Sequence, residues 1–317
     1  MQSLPSAVTI WLGGEQAALK ARRSNLSALD DAGRAMSIDL IARATANATQ
    51  RRADADATCA ADDTGTLTQF RVTMATSAMG NTVDADKLLT YADDQQIVSA
   101  RAAVLAKAHG DVQEAERLLR VRAVDQDGVD WFQRRAAFED HWKVGHDFVY
   151  WVVITEGPGL AALPDRRYGD FCLVIPDPNR PVAESLGVFP GNTAELYAEA
   201  GVLDVQRCEA DATSWADRAD LLTVKHVSDV AATHETQWGA LICRAEDFTE
   251  VVRAGHLPLT SVTEVRMVAE RKAQLEGLWT DLQTDPDSVP DSERPAVKAY
   301  AILNTWRRNF GLRILGV

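Results

Sequence analysis

The chain lacks any apolar run long enough to cross a bilayer. Its longest strongly apolar stretch, Phe148 to Thr155, falls far short of the ~20 residues a membrane helix needs. The N-terminal stretch MQSLPSAVTIWLGGEQ has no basic residue ahead of its short apolar run, so a secretory signal is not expected. These two absences predict a soluble, cytoplasmic protein with no membrane contact. Disulfide-permissive features are missing as well. Four widely spaced cysteines (Cys59, Cys172, Cys208, Cys243) among 317 residues offer no CxxC and no Cys/His spacing of the zinc-binding kind. All four are expected to be reduced, with Cys172 and Cys243 serving as small core hydrophobes.

Positive charge is also scarce. The formal net charge is −13, which disfavours nucleic acid, because phosphate binding draws its affinity from clustered Lys and Arg. The deficit is concentrated in residues 151–250, where 7 basic side chains face 17 acidic ones. That segment is either a solvated acidic surface or a face for a basic protein partner. No GxSxG elbow, HExxH, kinase signature or zinc-deaminase signature is present, which sets aside the common motif-bearing enzyme families. Gly13-Gly14 precedes a helical stretch, but without GxGxxG or GxxxxGK[ST] it does not specify a nucleotide, and the cofactor is unknown.

Proline is absent between Pro5 and Pro158 and then recurs at 158, 164, 176, 178, 181 and 190. Because proline breaks helix interiors, the spacing predicts a helix-dominated region over 1–146 and an α+β region with a buried sheet over 147–317. In the first region helices are expected at Ala35–Arg52 and Val129–Lys143. The latter carries Trp131, Phe138 and Trp142 on one face. Ala53–Thr64, poor in large apolar residues, reads as a loop or frayed helix end. Leu67–Met74 alternates Phe70, Val72 and Met74 with polar residues and reads as a half-buried strand.

Asp147–Thr155, Asp170–Asp177 and Ser185–Pro190 read as strands, the first two apolar on both faces. Their short, turn-rich connections predict an antiparallel meander, completed by strands at Gly239–Cys243 and Leu312–Gly316. Helices are expected near Asn192–Glu199, Ser214–Lys225, Ala245–Ala254, Ser261–Asp281 and Ala296–Phe310. The fold class that follows is α+β: a helix-rich N-terminal half, then a mixed, mainly antiparallel sheet packed with helices.

Ile97, Arg101, Val104, Leu105 and Ala108 recur at helical spacing up to Gly110, and Asp111 with Glu114 forms a capping-box pattern. Together they predict an αα-hairpin. The segment AHGDVQEAERLL, Ala108 to Leu119, resembles the start of a Fis-type helix-turn-helix, which implies that a DNA-reading helix comes next. The following AVDQDGVD instead brings Asp125, Asp127 and Asp130, which would repel phosphates. A helix-turn-helix DNA-binding protein is therefore the less favoured reading. His141, His146 and Asp147 do not converge as metal ligands either, since five helical residues turn the two imidazoles about 140° apart, and no metal is expected.

What remains is a cluster of titratable groups around Lys225: His226, Asp229, His234 and Glu235. A histidine beside carboxylates can act as an acid–base pair near neutral pH. These four residues are the candidate catalytic set of a hydrolase or group transferase working from the C-terminal half. The alternative is a non-catalytic acidic regulator or toxin-type partner that binds protein through residues 151–250.

Overall fold

Two apolar runs fix the centre of the fold. Phe171–Ile175 (FCLVI) is buried at every position, and Phe148–Ile154 is buried at all but two, as strands covered on both faces must be. The computed structural model describes residues 38–99, 102–104, 108, 111, 113–115, 117–118, 131–143, 148–156, 161–164, 166–176, 178, 180–199, 202–285 and 287–317. Its helices are α1 (Ile38–Ala60), α2 (Thr66–Met74), α3 (Ala85–Asp94), α4 (Trp131–His141), α5 (Arg180–Ala183), α6 (Thr193–Leu196), α7 (Val205–Asp211), α8 (Arg218–Lys225), α9 (Val227–Ala232), α10 (Trp238–Ile242), α11 (Ala269–Thr284) and α12 (Arg294–Phe310). Its strands are β1 (Ala78–Val83), β2 (Gln96–Ile97), β3 (Phe148–Ile154), β4 (Phe171–Ile175), β5 (Gly187–Phe189), β6 (Ala198–Glu199), β7 (Val202–Leu203), β8 (Thr213–Ser214), β9 (Glu250–Ala254), β10 (Leu257–Pro258), β11 (Glu264–Met267) and β12 (Arg313–Gly316). Among the described residues no helix is long and apolar enough to cross a membrane.

Eight strands form one sheet in the order β12-β11-β4-β1-β3-β9-β5-β8. β11 and β12 run parallel and every other neighbouring pair is antiparallel. This is the expected α+β class with a mixed, mainly antiparallel sheet. The terminal strand forms as expected, and Val317 N–H donates to the Met267 carbonyl. The meander does not form: β1 lies between β3 and β4, and β9 lies between β3 and β5. The central strand β1 thus comes from the first 146 residues, so the two regions share one sheet. Gly80 weakens its strand signal, yet the packing leaves little room for a side chain there. A Cβ there would sit 3.0 Å from both Cys172 Sγ and Ile154 Cδ1.

Several local expectations are corrected. Leu67–Met74 lies in α2 and is no strand, because Leu67, Phe70 and Met74 are buried at helical spacing while Val72 is 67% exposed. Gly239–Cys243 falls largely in α10. The strand beside β3 is β9, where the sequence predicts a helix over Ala245–Ala254. α1 runs on through Ala53–Ala60, with Ala55 buried against the protein. Ser261–Asp281 divides into β11 and α11, and Asn192–Glu199 into one helical turn and β6. Of the aromatic stripe, Phe138 in α4 and Trp142 just beyond it are core and pack with Phe148, Phe189 and Tyr197, while the side chain of Trp131 lies outside the described residues. Parts of the hairpin and of the helix-turn-helix-like segment lie outside the described residues, including Arg101, Leu105, His109, Gly110 and Leu119, as do Gly13, Gly14 and His146. Within it, Asp111 Oδ1 accepts the N–H groups of Gln113 and Glu114 at 3.0 and 3.1 Å, which is the capping half of the expected box.

One buried arginine sets the position of α8. Arg218 donates to Ser77 Oγ at 2.9 Å, to the Trp215 carbonyl at 2.8 Å, and to the Ala75 and Ser77 carbonyls at 2.6 and 3.0 Å. Its guanidinium also stacks 4.1 Å from the Trp215 ring. Charge-assisted bonds of this kind are strong and directional. They tie the start of α8 to the turn between α2 and β1, which fixes where the far end of α8 arrives.

Candidate functional site

That far end carries His226. The residue stands between α8 and α9, where its N–H donates to the Leu222 carbonyl and its own carbonyl accepts from Val230 N–H. Leu222 and Val230 are fully buried and anchor the bend from both sides. The imidazole points inward and is only 1% exposed, with Phe70 of α2 edge-on at 6.4 Å and Trp238 of α10 edge-on to Phe70 at 5.2 Å.

Two carboxylates face this ring from the solvent side. His226 Nδ1 lies 3.7 Å from Asp229 Oδ2 and 3.9 Å from Asp247 Oδ2. One ligand atom from each of His226, Asp229 and Asp247 falls within 4.8 Å of the other two. Neither 3.7 nor 3.9 Å is a hydrogen bond. Among the described residues both ring nitrogens of His226 are buried without a hydrogen-bond partner. Buried polar groups are almost always satisfied, so this ring is an exception that calls for a cause.

Two cations border the cluster. Lys225 Nζ donates to the Asp247 and Phe248 carbonyls at 2.6 and 3.0 Å and to Thr249 Oγ1 at 3.3 Å, and lies 3.0 Å from Asp247 Oδ1. It thereby pins the turn that leads into β9 and holds one oxygen of Asp247, leaving the other toward His226. Arg244, half-exposed at the rim, reaches Asp229 Oδ2 at 3.4 Å. Burial, reinforced by the Lys225 charge, pushes the His226 pKa down to about 4 against the opposing pull of Asp247 and Asp229. Burial also lowers Lys225, with Asp247 and Asp229 resisting.

Of the four residues singled out in the sequence, the fold brings His226 and Asp229 together. His234 and Glu235 lie on an exposed turn, where His234 Nδ1 contacts Thr236 Oγ1 at 3.1 Å and accepts from Thr236 N–H at 3.4 Å. His234 therefore caps its own turn. Asp247 is the residue that sequence reasoning misses. It follows α10, and only the α10 fold returns it to the end of α8.

No protein-family model matches the chain, and no curated protein is similar to it in sequence. The functional reading therefore rests on the geometry of the chain alone.

The acidic segment is less exposed in charge than its composition implies. Asp217, Asp220, Glu209, Glu250 and Asp170 pair with Arg52, Arg71, Arg43, Arg135 and Arg271, all from outside residues 151–250. Asp217, Asp220 and Glu250 are buried. Glu250 additionally accepts from Thr193 N–H and Oγ1 at 2.9 and 2.6 Å.

Proposed function

We propose that the protein is a hydrolase or group transferase whose reacting centre is the cluster of His226, Asp229 and Asp247. One observation carries this reading: a buried imidazole, neither of whose nitrogens has a hydrogen-bond partner among the described residues, has Nδ1 near an oxygen of each of two half-exposed carboxylates. Leaving such a ring unpaired costs about 1–3 kcal/mol, and strain or unsatisfied groups of that size persist at sites selected for chemistry. Asp229 and Asp247, whose side chains are 41% and 46% exposed, are the groups a substrate or water reaches first. Lys225 fixes Asp247 through the turn it pins. The alternative of a protein-binding acidic face finds less support, because many carboxylates of residues 151–250 are already neutralised within the fold.

The experiment is a turnover screen of the full chain on chromogenic esters, phosphate mono- and diesters and amides, repeated with Asp229→Asn and Asp247→Asn. Turnover by the wild-type protein that falls by at least about 100-fold, the scale of positioned acid–base groups, in either variant with unchanged melting supports the assignment. Wild-type turnover that both variants retain in full sinks it.

A further inference from the structure

The layout of the cluster is the reverse of what a substrate-contacting histidine needs. The imidazole is the innermost group and 1% exposed, while both carboxylates stand between it and water. A reacting group cannot touch the ring directly, but a small ion seated among the three ligand atoms can. We propose that His226 Nδ1, Asp229 Oδ2 and Asp247 Oδ2 bind one first-row divalent cation, of the Zn2+ or Mn2+ type. This deepens the functional reading above and rests on it for any catalytic role.

The distances fit. Bonds of about 2.0–2.2 Å from such an ion to nitrogen and oxygen place two of its ligands at most about 4.4 Å apart, and the two histidine-to-carboxylate separations are 3.7 and 3.9 Å. These are too long for hydrogen bonds and short enough for a shared ion. The donor set also fits, since one imidazole with two carboxylates suits Zn2+ and Mn2+ better than Mg2+, which favours oxygen ligands and dehydrates reluctantly. Burial keeps the ring neutral, the state in which its lone pair is available.

The surrounding groups take defined parts. Lys225 occupies Asp247 Oδ1 and leaves Oδ2 free, the outer-sphere support by which ligating carboxylates are oriented. Arg244 is the competing cation, because it reaches the same Asp229 oxygen that faces His226. Its side chain is 47% exposed, so it can withdraw into solvent when an ion arrives.

Calorimetric titration of the full chain with MnCl2, ZnCl2 and MgCl2, with electron paramagnetic resonance for free Mn2+, tests the proposal without reference to activity. Thiols bind Mn2+ poorly, so Cys59 does not contribute to that signal. One Mn2+ per chain is expected, bound at least about tenfold more tightly than Mg2+. Asp229→Asn and Asp247→Asn should each weaken it by at least about tenfold, the scale seen when a metal site loses a supporting group, and Arg244→Gln should tighten it. Absence of Mn2+ and Zn2+ binding, or equal affinity in the wild type and both asparagine variants, overturns the site. Stoichiometric binding without turnover on the substrate panel keeps the ion and removes the catalytic reading. Turnover that survives chelation in a protein that binds no ion does the reverse.

Discussion

Replacing His226 with leucine should make the protein more stable. The ring buries two polar nitrogens that find no partner among the described residues, a state that costs about 1–3 kcal/mol relative to a satisfied or apolar group. Leucine has a similar volume and faces Phe70 and the apolar cluster that includes Trp238. Part of the gain is offset by imperfect shape in a packed interior. A net stabilisation of about 1 kcal/mol is expected at pH 7.5, or roughly 1.5 °C in melting temperature for a chain of this size.

Acid should widen the gap between the two proteins. The folded ring titrates at about 4 and the free ring at 6.5, so on acidification the unfolded chain takes up the proton first. The ring's contribution is fully present above pH 6.5 and is lost as pH falls toward 4. That difference corresponds to about 3 kcal/mol, and His226→Leu does not suffer it. Urea unfolding of both proteins at intervals from pH 8 to pH 4 is the assay. Leucine that costs more than about 2 kcal/mol at pH 7.5, or a difference that stays flat across the range, would mean that the ring is held by hydrogen bonds and would refute the reasoning.

Other perturbations have equally definite outcomes. Gly169 has φ 138°, and a Cβ there would meet the Val83 carbonyl group at 2.2 Å, so Gly169→Ala should cost at least about 2 kcal/mol, read as a fall in the urea midpoint. Arg218→Ala removes four donated hydrogen bonds and should cost about 3 kcal/mol; a melting temperature within 2 °C of wild type, by the scale above, would contradict that role. Deleting residues 311–317 strips one of the two partners of β11 and the buried Leu312 and Ile314, and should lower the melting temperature clearly. Thiol titration under denaturing, non-reducing conditions should count all four cysteines free, as they are in the fold.

The strands that were legible in the sequence are those whose burial leaves no choice of residue. FVYWVVI and FCLVI are apolar on both faces and bounded by turn formers. Short apolar runs are ambiguous in both directions because periodicity alone does not separate strand from helix. Phe70 and Met74 satisfy a period of two as well as one of 3.6, and only the exposure of Val72 decides between them. β9 is not legible in the sequence because Glu250 and Arg253 are charged, yet both are buried and satisfied across the chain, Glu250 by Thr193 and Arg253 by Ser185 Oγ at 2.9 Å. Such long-range partners are invisible locally. The candidate site divides the same way: His226 and Asp229 are three residues apart on one bend and could be read together, whereas Asp247 joins them only through the fold.

The most direct test of the account compares turnover by wild-type protein and His226→Leu at equal concentration on the same panel of esters, phosphate esters and amides. The account expects a variant that melts higher than wild type and has lost turnover by at least about 100-fold. A stabilised variant that turns over substrate as fast as wild type would contradict it.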